Sequence, residues 1–343
     1  MSFRRRWLPI VLAGLFIWAM VTAAAVSDTW ELLFPEAAAI LCGAWIQPAQ
    51  AWNVDRPRML ALMAIGSVAG VAMNLWLPAP LVVKAPLGFA FVALTMHVFA
   101  ADMTPMVSAV VLPLLLGTTD WLYPVAVVVI VMLICAGQVI LEHLGLREPI
   151  AYTPLRLPAG EALRSWGRRL AVFCVLALPA YALRQPFFAV PPLLVVYTEL
   201  SRPDNNLRRR PLRGIGVLVC AALIGAGARA AADALAAAGW GNLGYIAVTP
   251  VAYALLVVAW DRFRTWLPPA GAVVLLALLA PVSVPVLYAL EASVGACVWV
   301  AAALFCFKGA SPEEQDDPTH PARRTPDSRF TLALDAIKSE NKD

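Results

Sequence analysis

The sequence predicts an all-α, polytopic transmembrane helical bundle, and three observations carry that class. Of 343 residues, 61% are hydrophobic and 14% charged, and the mean hydropathy is +0.75. A soluble chain is roughly 45–50% apolar and about 25% charged, so the surplus here needs a solvent other than water. Runs such as 122–141 (LYPVAVVVIVMLICAGQVIL) carry no charge, and about 20 such residues cross a hydrocarbon core. The apolar runs also recur, separated by short loops in which Arg and Pro concentrate.

The elements follow in chain order. Three arginines precede Trp7, and an apolar run then extends to Val26, with small residues at 23–25. A cleaved signal peptide has the same ingredients. The run is long for that purpose and has a counterpart at 169–185, so it is assigned as the first membrane helix. Apolar runs read against breakers give twelve segments: 8–27, 34–47, 58–77, 84–100, 104–117, 120–142, 169–185, 187–200, 213–236, 243–261, 267–281 and 283–307. Four of them (34–47, 104–117, 187–200, 267–281) are short and begin at or near proline. Pro suits the first turn of a helix and disrupts its interior. Short Pro-initiated segments at matching places in two halves have the form of broken helices.

Orientation follows from the basic loops. If all twelve segments cross, Arg4 to Arg6, Arg56 with Arg58, the stretch Arg147 to Arg169, Arg202 to Arg213, and Arg262 with Arg264 share one side. The opposite loops lack Lys and Arg. The excess of positive charge marks the cytoplasmic face, which puts both termini there in a multi-pass protein of a cell membrane, a bacterial inner membrane by expectation. The expected divisions are a first membrane repeat over 1–145, a cytoplasmic linker over 146–168, a second membrane repeat over 169–308 and a mobile cytoplasmic tail over 309–343. Within the tail, Phe330, Leu334 and Ile337 share one helical face of 328–339.

Internal duplication is legible in residues. TPMVSAVVL at 104–112 aligns with LPPAGAVVL at 267–275, which matches Pro105 to Pro268 and Ser108 to Gly271. Arg56-Pro57-Arg58 is echoed by Arg210 to Arg213, and Gly70 falls opposite Gly225 in the third segment of each half. Even crossings in each half give two parallel six-segment repeats related by an axis along the membrane normal.

LPPAGAVVLLALL at 267–279, preceded by WDRFRTW, resembles the signature of the HPP family of integral membrane proteins. FPEAAAILCGAWIQPAQAWNVDRPRMLALMAIGSVAG at 34–70 and MTPMVSAVVLPLL at 103–115 are similar to the same plan in the first half. The chain departs from the motif, with Leu267-Pro268-Pro269 and Thr104-Pro105-Met106 where the family has His-Pro-Pro, and with two units in tandem. Aromatic-acid-exporter-like membrane domains share the six-segment plan and are the second resemblance. The association of some HPP-like proteins with nitrite movement implies a small anion as cargo.

No GxSxG, HExxH, GxxxxGK[ST] or GxGxxG motif occurs, and there are three histidines, so neither an enzyme nor a metal or other cofactor is expected. Ionisable residues at membrane depth are the informative ones, because each costs several kcal/mol without partners. Glu291 in the twelfth segment is the first candidate for contact with a solute, the alternative being a structural hydrogen bond between the halves. Glu36, after Pro35, either caps a helix dipole or faces the site. Arg229 either snorkels outward or lines an outer vestibule. Glu199 and Asp261 close segments beside basic loops, where ion pairing accounts for both. Thr104, Pro105 and Ser108, with Pro268, Pro269 and Gly271, open two short helices whose N-termini can hold an anion or simply pack closely.

These residues point to a transporter or permease for a small solute, a small anion by the family analogy, with its site between the repeats. The alternative is a non-transport membrane scaffold or assembly partner that works through the tail. Expected partners are membrane lipid, the solute, and either a second copy or a protein bound through the tail. Nucleic acid is not expected, since no basic face with interleaved aromatics is present.

Overall fold

A computed structural model describes residues 3–279 and 285–307, which belong to one compact unit. The tail, including the amphipathic stretch 328–339, lies outside the described residues. Among the described residues the chain is all-α, with twelve α-helices: α1 (Phe3–Ser27), α2 (Glu36–Leu41), α3 (Arg56–Trp76), α4 (Leu81–Val98), α5 (Met106–Leu116), α6 (Leu122–His143), α7 (Ala159–Ala182), α8 (Pro191–Leu200), α9 (Pro211–Leu235), α10 (Leu243–Phe263), α11 (Pro268–Leu279) and α12 (Pro285–Cys306).

Seven of these helices (α1, α3, α4, α6, α9, α10 and α12) are long and apolar enough to cross a membrane. Their most apolar stretches bury only 33% to 44% of their residues inside the protein. Leu15, Val125, Leu133, Val258 and Val294 point outward from them. In water so much contiguous apolar surface would aggregate, and in lipid it is solvated. The architecture is that of a multi-pass helical membrane protein.

The four short helices are the opposite case. Every residue of α2 and α8 is buried, as are Met106–Leu114 of α5 and Pro268–Leu278 of α11. They meet in the interior, α2 against α11, α5 against α8, and α8 against α11. Around them α3 packs on α5 and α6, α9 on α11 and α12, α1 on α10, and α4 on α7.

The sequence explains why these helices are short. Pro105 and Pro35 are the N-caps of α5 and α2, and α8 begins with Pro191 and Pro192. Gly117 ends α5 in the left-handed region at φ +69, a conformation that favours glycine. The expected segment 34–47 resolves into the six residues of α2 and a wide π-turn over Cys42–Ile46. The chain then doubles back and seats Trp52 over Gly43, where a Cβ would lie 2.6 Å from the indole.

A proline inside a helix strands a carbonyl, and at two of them a neighbouring side chain recovers it. Pro250 frees the carbonyl of Ile246, which accepts from Trp18 Nε1 at 3.1 Å. Pro113 frees that of Ala109, which the Tyr123 hydroxyl approaches at 3.4 Å. At the end of α5, Asn74 Nδ2 donates to the carbonyls of Pro113 and Thr118 at 2.7 and 3.0 Å, and Lys84 Nζ donates to Asn74 Oδ1. Asn74→Ala is therefore expected to lower stability by about 1 kcal/mol, since it takes the amide from the Thr118 carbonyl and from Lys84, while the Pro113 carbonyl keeps the Gly117 and Thr118 N–H groups. Thermal unfolding in detergent checks this, and an unchanged midpoint would mean that water replaces the amide.

One boundary differs from expectation. α7 starts at Ala159 and includes residues assigned to the linker. Hydropathy ends a segment where Arg164 and Arg168 begin, but arginine is a good helix former, and Glu161 suits a first turn. The helix therefore continues past its apolar part.

Candidate functional site

The interior seam between the short helices holds an unusual concentration of polar side chains. Glu36, in the first turn of α2, is 1% exposed, and Ser108, in the first turn of α5, is equally buried. The Ser108 hydroxyl is the polar neighbour of the Glu36 carboxyl, and Tyr123 of α6 lies close by. Both Glu36 carboxyl oxygens and Ser108 Oγ are buried without a hydrogen-bond partner among the described residues. Such atoms are rare in folded proteins and mark sites of strain, chemistry or an absent ligand.

At the start of α5, Glu199 at the end of α8 turns inward. Its Oε1 accepts from Trp52 Nε1 and from Thr104 Oγ1, each at 2.8 Å. The expectation of a simple ion pair is corrected here, because Glu199 makes no ion pair among the described residues. Arg202, the nearby cation, is engaged by Asp102. The helix end at Thr104 and Pro105, anticipated as a place for a solute anion, has the protein's own Glu199 carboxyl beside it, held by the Thr104 hydroxyl. Glu199 and Glu36 are close enough for their charges to interact.

The matching start of α11 carries no such group. Pro268, Pro269 and Gly271 are buried, and a Cβ at Gly271 would lie 2.9 Å from Ala38 Cβ. Gly271 thus lets α11 approach α2, which is the packing role weighed for it. Beside this contact, Ile17, Ala38, Thr249, Ala252, Tyr253, Leu256 and Gly271 line a narrow, mostly apolar crevice.

Two other candidates fall outside the seam. Glu291 is half-buried and accepts from the Phe187 N–H at 2.9 Å, so it ties the 3₁₀ turn Pro186–Ala189 to α12. Arg229 pairs with Asp233 at 2.9 Å, donates to the Leu278 carbonyl at 3.2 Å and lies over the Tyr245 ring. Its role is to hold the end of α11.

A separate charged group closes the end of α6. Arg56 pairs with Glu142, and Arg147 Nε stands 3.8 Å from the other Glu142 oxygen. Burial pushes the Arg147 guanidinium down to about 10, with Glu142 opposing the shift. Sequence reading missed Trp52, Asp102 and the inward turn of Glu199. A tryptophan in a short polar loop was the one visible sign. No family model, no curated protein and no solved structure matches the chain.

Proposed function

We propose that this chain is a permease for a small solute, with its site in the seam between two tandem repeats. The observation that carries the reading is the meeting of four short, buried, proline-initiated helices around Glu36, Ser108, Thr104 and Glu199. A bundle that only needed stability would fill that volume with apolar side chains. Broken helices around polar groups at mid-depth are a transporter's way of building a site.

The pairing of helices supports the duplication. α3 on α5 is answered by α9 on α11, α4 on α7 by α10 on α1, and α2 on α11 by α8 on α5. Gly70 brings α3 close to the Val110 carbonyl of α5, and Gly225 brings α9 close to the Val274 carbonyl of α11. On this reading all twelve segments belong to the membrane domain, the short ones crossing it in part, and the basic loops set both termini on the cytoplasmic side. The HPP-like plan remains a resemblance carried by 34–70, 103–115 and 267–279.

The acidic groups of the seam, Glu199 beside the α5 N-terminus and Glu36, favour a neutral or cationic solute over the anion that the helix ends alone suggested. The test is uptake into proteoliposomes of four probes: nitrite, benzoate, glycine betaine and tetramethylammonium. Saturable uptake of betaine or tetramethylammonium above protein-free vesicles is expected, and Ser108→Trp, which fills the seam, should abolish it. Saturable nitrite or benzoate uptake would restore the anion reading. A chain that moves none of the four, and captures a partner protein only when residues 309–343 are present, is the scaffold instead.

A further inference from the structure

Glu36 and Glu199 are both buried carboxyl groups, but their surroundings differ. Glu199 has two donors, from Trp52 and Thr104, and the Arg202 guanidinium near it. Among the described residues Glu36 has no cation beside it, and its one polar neighbour is the Ser108 hydroxyl, with which it makes no well-formed hydrogen bond. The titratable groups that face Glu36 are Tyr123 from α6 and Glu199 from α8, and the second of these repels a negative charge. α11 has no charged residue, and α1 has none beyond Arg6. A carboxylate buried in such a place carries a desolvation cost that a single hydroxyl neighbour does not offset. A neutral carboxylic acid does not.

We propose that Glu36 is the proton-binding site of the bundle: it holds a proton on its carboxyl in the closed arrangement and exchanges it when the seam opens. As a coupling site the proposal rests on the permease reading; as a protonation site it does not. Release breaks the carboxyl O–H bond and passes the proton to water entering the seam, which leaves the carboxylate. Uptake re-forms the same bond from hydronium. Ser108, the polar neighbour of the carboxyl, can bond either form, accepting from the acid and donating to the carboxylate.

The experiment is infrared spectroscopy of the full chain reconstituted in lipid, which requires no solute. A carboxylic-acid C=O stretch is expected at neutral pH, absent in Glu36→Gln and retained in Glu199→Gln. Because glutamine is a neutral isostere of the acid, Glu36→Gln should keep the wild-type unfolding midpoint, so loss of the band cannot be ascribed to misfolding. Transfer to D2O should shift the band, reporting exchange. No band at neutral pH, or a band that survives in Glu36→Gln, overturns the proposal, and a band that never shifts in D2O overturns the exchange. Loss of the band in sodium chloride but not in choline chloride overturns it in favour of a sodium site. If the band behaves as expected while no probe is transported, the protonation site stands and the permease reading fails.

Discussion

Replacing Gly70 or Gly225 with valine is expected to cost the bundle about 3 kcal/mol or more, at the upper end of overpacking. A Cβ at Gly70 would lie 2.5 Å from both the Val110 carbonyl oxygen and Pro113 Cγ, and one at Gly225 would lie 2.9 Å from the Val274 carbonyl oxygen. The obstacle in each case is backbone of a short helix, which cannot rotate aside. The added side chain must push α3 off α5 or α9 off α11, and both short helices are fixed on their other sides. Gly227, on α9 with no atom within 4 Å of its Cβ position, is the internal control. Alanine there should leave the midpoint unchanged or raise it, since glycine weakens a helix by roughly 0.5–1 kcal/mol. Thermal unfolding of purified protein in detergent reads all three, and equal midpoints would show that the interior is loose.

Glu199→Ala should be the second large loss. It removes the acceptor shared by Trp52 Nε1 and Thr104 Oγ1, leaving two buried donors at about 1–3 kcal/mol each. Glu199→Gln keeps an accepting oxygen and should cost a third of that or less. Combining Glu199→Ala with Trp52→Phe should cost less than the two single changes added together, because the donors and the acceptor form one network. Unfolding midpoints with the fluorescence of the tryptophans give the comparison. Equal losses for Ala and Gln would show that charge, rather than these hydrogen bonds, holds Glu199 in place.

The parts of this structure that rest on local rules were open to reading from the sequence. Long apolar runs became helices, and Pro105, Pro268 and Pro191 mark the beginnings of short ones because a proline's missing N–H is harmless only in a first turn. Gly70 and Gly225 were visible as a matched pair. What they touch was not, because close approach depends on which helices become neighbours. The same limit explains the candidate residues. Glu36 and Ser108 stand seventy-odd positions apart in the chain and meet only because α2 and α5 face one seam. Glu291 looked costly from its depth in α12, but the backbone N–H that satisfies it belongs to a turn about a hundred residues earlier. Glu199 looked like a partner for the arginines that follow it, and Asp102, from the other half, reaches Arg202 instead.

The contact of Ala38 with Gly271 sets the order in which the molecule can be made. At about 5–20 residues per second, some ten to fifty seconds of synthesis separate the two positions. Throughout that interval α2 has been synthesised, with a glutamate in its first turn, and α11 has not. The face of α2 that Gly271 meets therefore has no native neighbour until α11 has been made. Assembly of the interior is a late event on the ribosome's clock, and its vulnerable period is set by the length of the chain between α2 and α11.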